Sequence, residues 1–310
     1  MLARLIHLLV DPDITSKIKT DIVYILGSII NGSDASIKSL NDADLINILL
    51  QGLSSSDTKL VAACLSCLQS MFLSKTPLIN DHEVDIVPSQ CQIIYSDPNI
   101  VPHLISLMTR QDTSATHQIA VCNILTSCCR ATDQQNMLVS AGVLTALTNV
   151  LTSHVTSVQV AGLQTLASVV YNNTGAAGAV SSTQYQGKSL LSLAIHFTGR
   201  ENIVDIQLAA GRVLTYLYRL EMLPEQEAET VIMYRVLPCL VRMCKKEETT
   251  NNRIVAAETL AYLIEVRTFG QCLCICIGPT QDYYVKNFKF LNDYLSLTLN
   301  QPHVVMSVIS

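Results

Sequence analysis

The sequence predicts an all-α protein, a right-handed helical solenoid of about six repeats. Three observations lead there. One twelve-residue pattern recurs six times in order: KTDIVYILGSII (19–30), VAACLSCLQSMF (61–72), QIAVCNILTSCC (118–129), QVAGLQTLASVV (159–170), QLAAGRVLTYLY (207–218) and RIVAAETLAYLI (253–264). Each copy holds a leucine at its eighth place: Leu26, Leu68, Leu125, Leu166, Leu214 and Leu260. Apolar residues follow at steps of three and four, which is the spacing of one helix face and not of a strand.

The leucines are 42, 57, 41, 48 and 46 residues apart. Helical repeats of this length are those of armadillo and HEAT arrays, whose units run to about 40–47 residues. Four places before the leucine stand Ile22, Cys64, Val121, Gly162, Ala210 and Ala256, mostly small, which lets a neighbouring helix come close. Three places after it stand Ile29, Met71, Cys128, Val169, Leu217 and Leu263. The sixth place back (Ala62, Ile119, Val160, Leu208, Ile254, with Thr20 the exception) is expected to complete the buried face.

Taken in order, residues 2–10 form a short helix, Asp11-Pro12-Asp13 a turn and 16–30 the first long helix. A loop at 31–34 precedes a short helix at 35–40 and a middle helix at 43–53; the long helix 58–73 closes the second module. Pro77, Pro88 and Pro98 disfavour a continuous helix over 74–98, which reads as an inserted, partly disordered loop and explains the interval of 57. The helix from 99 to 108 tolerates Pro102 in its first turn. Two short helices at 133–151 break at Ala141-Gly142, and the long helix 156–171 follows. The Gly-, Ser- and Ala-rich stretch 172–188 reads as a second inserted loop. Segments 189–197 and 203–220 make the fifth module; 231–244, with Pro238 in the first turn, and 250–265 make the sixth. Lys245-Lys246-Glu247-Glu248 reads as a solvated turn. The chain thus divides into a solenoid, 1–265, and a divergent tail, 266–310, poorly ordered or irregular, in which the helical period dies.

Composition narrows the function. Hydrophobic residues make up 49%, yet no apolar run nears the roughly 18 residues a membrane span needs. The opening MLARLIHLLV carries Arg4 and His7 and stops at Asp11-Pro12, a poor signal peptide. A soluble protein of the cytoplasm and nucleus is expected, without membrane partners. The net charge is −5 and no basic stripe is present, so nucleic acid is not an expected partner. The 11 cysteines fall mostly at core positions, as in a reducing compartment. Cys64 and Cys67 form a CxxC, but both lie in the repeated helix and read as small core residues.

Catalytic chemistry is not written in the chain. The seven histidines are scattered, no HExxH or GxSxG occurs, and Gly187-Lys188-Ser189 lacks the earlier glycine and the strand of a phosphate loop. No enzyme activity, cofactor or metal is expected. An interaction surface fits better. In a solenoid the last helix of each repeat lines the concave face. The places two before and two after the leucine should point there: Tyr24 and Ser28, Ser66 and Ser70, Asn123 and Ser127, Gln164 and Ser168, Arg212 and Tyr216, Glu258 and Tyr262. Tyrosine and arginine are favoured anchors in protein interfaces.

The repeats resemble the armadillo family. LLQGL (49–53) with ACLSCL (63–68), YILGS (24–28), VPHL (101–104), LPCLVRMC (237–244) and AETLAYLIE (257–265) resemble one branch of it, the scaffold subunits of the CTLH E3 ubiquitin ligase. The likeness runs from residue 1 to about 265 and lapses at 74–98 and 172–188. It implies a non-catalytic subunit joining other ligase subunits. It also implies weak recruitment of the exchangeable substrate receptor, because the family's receptor-facing repeats come later than those seen here. An adaptor in membrane trafficking or cell adhesion is the alternative. Importin-type armadillo proteins carry a Trp and Asn ladder that clamps basic peptides. This chain has no Trp, and Ser28, Ser70, Ser127, Ser168, Tyr216 and Tyr262 replace the Asn, so nuclear-signal binding is not expected.

Overall fold

The six leucines that define the repeats all go inside: five are fully buried and Leu260 is 2% exposed. The computed structural model describes residues 2–30, 40, 44–73, 86–110, 113–244 and 249–264. Two compact units emerge among the described residues, one within 2–169 with 184–186, the other within 170–183 and 187–264.

In the first unit the helices are α1 (Leu2–Val10), α2 (Ser16–Ile30), α3 (Leu45–Gly52), α4 (Thr58–Leu73), α5 (Ile86–Ser96), α6 (Ile100–Thr109), α7 (Ala115–Cys128), α8 (Thr132–Ser140), α9 (Val143–Leu151) and α10 (Thr156–Val170). The long helices stack side by side, α2 on α4 and α4 on α7, while shorter helices such as α3 and α6 pack behind them. Local chemistry sets the ends. The Asp57 carboxylate accepts the Lys59 amide at 2.9 Å and caps α4, and the Ser114 side chain caps α7 through the His117 amide. Gly142, at φ 87°, makes the left-handed corner between α8 and α9 that the Ala141-Gly142 pair predicts.

The second unit holds α11 (Thr174–Ser182), α12 (Leu190–Phe197), α13 (Val204–Arg219), α14 (Glu225–Val231), α15 (Leu237–Met243) and α16 (Thr250–Ile264). Here α13 packs on α16 with α15 against both. The short strand Lys188–Ser189 follows Gly187, which takes positive φ; the strand Gln184–Tyr185 and Gln186, also at positive φ, belong to the first unit. The Gly187-Lys188-Ser189 tripeptide is therefore a turn and a strand, whose Ser189 side chain caps α12 by accepting the Ser192 amide.

Four expectations need correcting. The segment 74–98 is not loop throughout: residues 86–96 are helical, with Cys91 and Ile94 buried. Pro88 falls in the first turn, where its missing N–H is an orphan anyway. Residues 74–85 lie outside the described residues. The stretch 172–188 contains α11, because the Asn173 side chain accepts the Ala176 amide at 3.0 Å and Ala176, Ala177 and Val180 are buried. Its small residues are helix formers here, not flexible filler. Pro238 stands in the first turn of α15, as expected, but α15 is not a fresh helix. It sits inside a helical rod that starts at Glu225, and the turn before it, Ile232–Val236, widens to a π-helix in which the Leu237 amide bonds Ile232 O. A proline cannot donate to the carbonyl four back and collides with it, so the helix loosens there.

The fourth concerns the sixth place before each leucine. Ala62, Ile119 and Val160 are only half-buried and Ile254 is 44% exposed, while Leu208 and Thr20 are buried. Six residues turn a helix by about 600°, which leaves that place about 120° from the leucine, at the edge of the core face. The fourth place back is buried in all six copies, as expected, and the third place on in all but Ile29. The short helix expected at 35–40, the turn at 245–248 and the tail at 266–310 lie outside the described residues, apart from Leu40, which is buried.

Candidate partner-binding site

On a helix whose leucine faces the core, the places two before and two after swing about 200° away. The structure leaves eleven of the twelve candidates at least partly open to solvent. Tyr24, Ser28, Ser66, Gln164 and Glu258 are exposed, and Ser70, Asn123, Ser127, Ser168, Arg212 and Tyr262 are half-buried. Tyr216 departs from this and is only 6% exposed.

In the first unit the candidate positions lie on α2, α4, α7 and α10. They are held in register by the helices themselves. The buried Thr165 hydroxyl lies 3.0 Å from Cys122 O and 3.0 Å from the Thr126 hydroxyl, tying α10 to α7. The Cys129 thiol and the Gln135 side-chain amide both donate to Ser168 O, the latter at 2.9 Å. The row itself is polar and lightly bonded: the Ser28 and Ser168 hydroxyls return to the carbonyls of Tyr24 and Gln164 one turn back.

The second unit is different, because it gathers its candidates into one cluster. The Tyr216 ring stands 4.9 Å from Tyr262, edge to face, and 5.0 Å from Tyr171. Tyr171 and Tyr262 are 5.5 Å apart, closing a triangle of three rings. Edge-to-face pairs at this spacing set the positive ring edge against a negative face. Arg212 donates from Nε to the Tyr216 hydroxyl at 2.7 Å and approaches Glu258 at 4.0 Å. Arg219 lies 3.9 Å over the Tyr262 ring, a cation–π contact, and the Tyr262 hydroxyl donates to the Asn172 side chain. Burial pushes the Tyr216 hydroxyl's pKa up, against the pull of Arg212.

Tyr171 and Arg219 were not among the candidates. Both stand five places after their leucine, a column that also holds Arg130, and this recurrence was the available signal. A second unread column lies seven places before the leucine. Gln118, Gln159 and Gln207 each donate from the side-chain amide to a backbone carbonyl: Met108 O, Ser153 O and Asn202 O. Each glutamine thereby ties the start of its long helix to the chain before it.

The Cys64–Cys67 pair belongs to the core. Both side chains are buried and desolvation lifts both thiols to about 12, so neither is a thiolate at neutral pH. Among the described residues no three metal-ligating side chains are grouped, and no helix is long and apolar enough to cross a membrane.

No protein-family model matches the chain. Curated relatives do. It is 33% identical over 263 residues to armadillo repeat-containing protein 8 of Xenopus laevis, covering 84% of this chain and 34% of that protein. The mouse protein of the same name is 32% identical over 262 residues, covering 84% of this chain and 36% of its own length. The chain thus spans about a third of the length of these homologues. Among solved structures, a designed armadillo repeat protein superposes with a TM-score of 0.64 over 85% of this chain and all of its own, at 14% identity. Another, in complex with the peptide (KR)4, reaches 0.56 over 84% of this chain and 99% of its own, also at 14%. The fold is that of armadillo repeats, an all-α solenoid.

Proposed function

We propose that this chain, homologous to armadillo repeat-containing protein 8 and built as an armadillo stack, is a non-catalytic scaffold within a CTLH-type E3 ubiquitin ligase. The homology over 84% of the chain is the observation that carries the reading. An armadillo stack suits the role physically. Each helix leans only on its neighbours, so side chains at equivalent places repeat along an extended surface, and such surfaces hold other proteins. The exposed row on the long helices and the Tyr171–Tyr216–Tyr262 cluster are the contact residues in this reading. Its partners are other ligase subunits, its outcome is proteasomal degradation of the ligase's targets, and its setting is cytoplasm and nucleus.

The test is affinity purification of the tagged 310-residue chain from cell extract, read by mass spectrometry. Recovery of the other CTLH ligase subunits at stoichiometric levels is the expected result. Recovery of trafficking or adhesion proteins with no ligase subunit would move the chain to the adaptor alternative. The substitutions Tyr24→Ala and Tyr262→Ala, paired with a check of thermal stability, then report whether the ligase uses the row or the tyrosine cluster.

A further inference from the structure

The second unit carries a cleft apart from the tyrosine cluster. It encloses about 530 Å³ between the turn after α12 and the face of the π-helical segment. Three arginines line it, Arg200, Arg235 and Arg242, against a single carboxylate, Glu201. A locally basic cleft on a chain of net charge −5 is a reversal of sign. It concentrates positive potential where low-dielectric walls focus it.

Two of the three arginines are not spent on the fold. Arg200 and Arg235 are exposed and make no hydrogen bond or ion pair among the described residues. Arg242 is set in place from below: its guanidinium donates at 2.6 Å to the side-chain oxygen of Gln207, which is 3% exposed. Glu201 forms no ion pair with them either; its carboxylate lies over Gly199, in the space a β-carbon would fill. Tyr234 stands at the rim, 76% exposed, where the π-turn forced by Pro238 widens the helix. Such turns are frequent at functional sites.

We infer that this cleft is a docking site for an acidic peptide segment of a partner protein. Guanidinium forks match carboxylates bidentately, and arginine is weakly hydrated, so neighbouring Asp or Glu side chains are the chemistry that fits. Tyr234 supplies a flat apolar surface for the peptide's remaining side chains. The inference does not rest on the ligase assignment, since an acidic segment of any partner meets the same residues.

The test titrates the 310-residue chain into fluorescein-labelled hexaglutamate at low salt, read by fluorescence anisotropy beside hexalysine and oligouridylate. Saturable hexaglutamate binding is expected, weakening as salt rises, with no hexalysine binding. The double change Arg200→Glu and Arg235→Glu should weaken it at least tenfold. Glu201→Gln should tighten it severalfold, because it removes the one lining carboxylate that competes. All three side chains are exposed, so melting temperatures should not move, and Glu201→Gln keeps the test decisive if the double variant folds poorly. Equal affinity in wild type and the double variant, no saturable binding by wild type, no tightening with Glu201→Gln, or a preference for oligouridylate would each overturn the inference.

Discussion

At the scale of single residues, the polar side chains buried in this fold act as struts. Gln207 is the clearest. Its amide donates to Asn202 O while its oxygen accepts from Arg242 and the Cys239 thiol. Gln207→Ala leaves the half-buried Asn202 carbonyl and the Arg242 guanidinium without their partner, so a loss of about 1–3 kcal/mol is expected in urea unfolding. The buried thiols give a pH prediction. Burial lifts Cys64, Cys67, Cys122 and Cys129 to about 12. In the unfolded chain they return to the ordinary thiol range. The native state therefore keeps protons that the unfolded state sheds. This contribution to stability is whole below the ordinary thiol pKa and drains away as pH rises from about 9 toward 12. Chemical denaturation across that window should show a falling midpoint. At pH 8 a disulfide-exchange reagent should leave these four thiols unmodified until the chain unfolds.

At the scale of elements, close approach between helices is the controlling quantity. A β-carbon on Gly162 would lie 3.0 Å from Val150 Cγ1 and 3.2 Å from Leu151 Cδ2, so α10 meets α9 with no room to spare. Gly162→Val should destabilise the chain by about 1–3 kcal/mol through overpacking, measured as a lower urea midpoint. Sequence made the long helices legible because each repeats one periodicity six times. It misled at α11, where Gly, Ser and Ala are common in both loops and tightly packed helices, and only the neighbouring surface decides between them. Pro238 misled in the same way: its local preference is for a first turn, but burial of Ile232, Val236 and Leu240 holds the rod together through it.

For the molecule as a whole, stability should be regional, because repeats couple only to neighbours. Leu68→Ala should cost about 2–5 kcal/mol locally. Hydrogen exchange should then quicken in α2, α4 and α7 and stay unchanged in α13 and α16. Uniform quickening throughout would show a single cooperative unit instead. The candidate site divides on the same line. The row on α2, α4, α7 and α10 could be read from spacing alone, since its geometry is that of the individual helix. The tyrosine triangle could not. Tyr171 comes from the end of α10's chain segment, Tyr216 from α13 and Tyr262 from α16, and nothing in the spacing says that three rings converge.

The sequence by itself determined the repeat, the buried leucines and the outward places, because helical periodicity is a local property that each copy states in full. Tertiary packing alone decided that Tyr216 would be buried, that 174–182 would be helix and that Pro238 would sit in a widened turn carrying Tyr234 outward. Each of those outcomes is set by surfaces brought together from distant parts of the chain, and burial against such a surface outweighs the weaker preferences of the residues themselves.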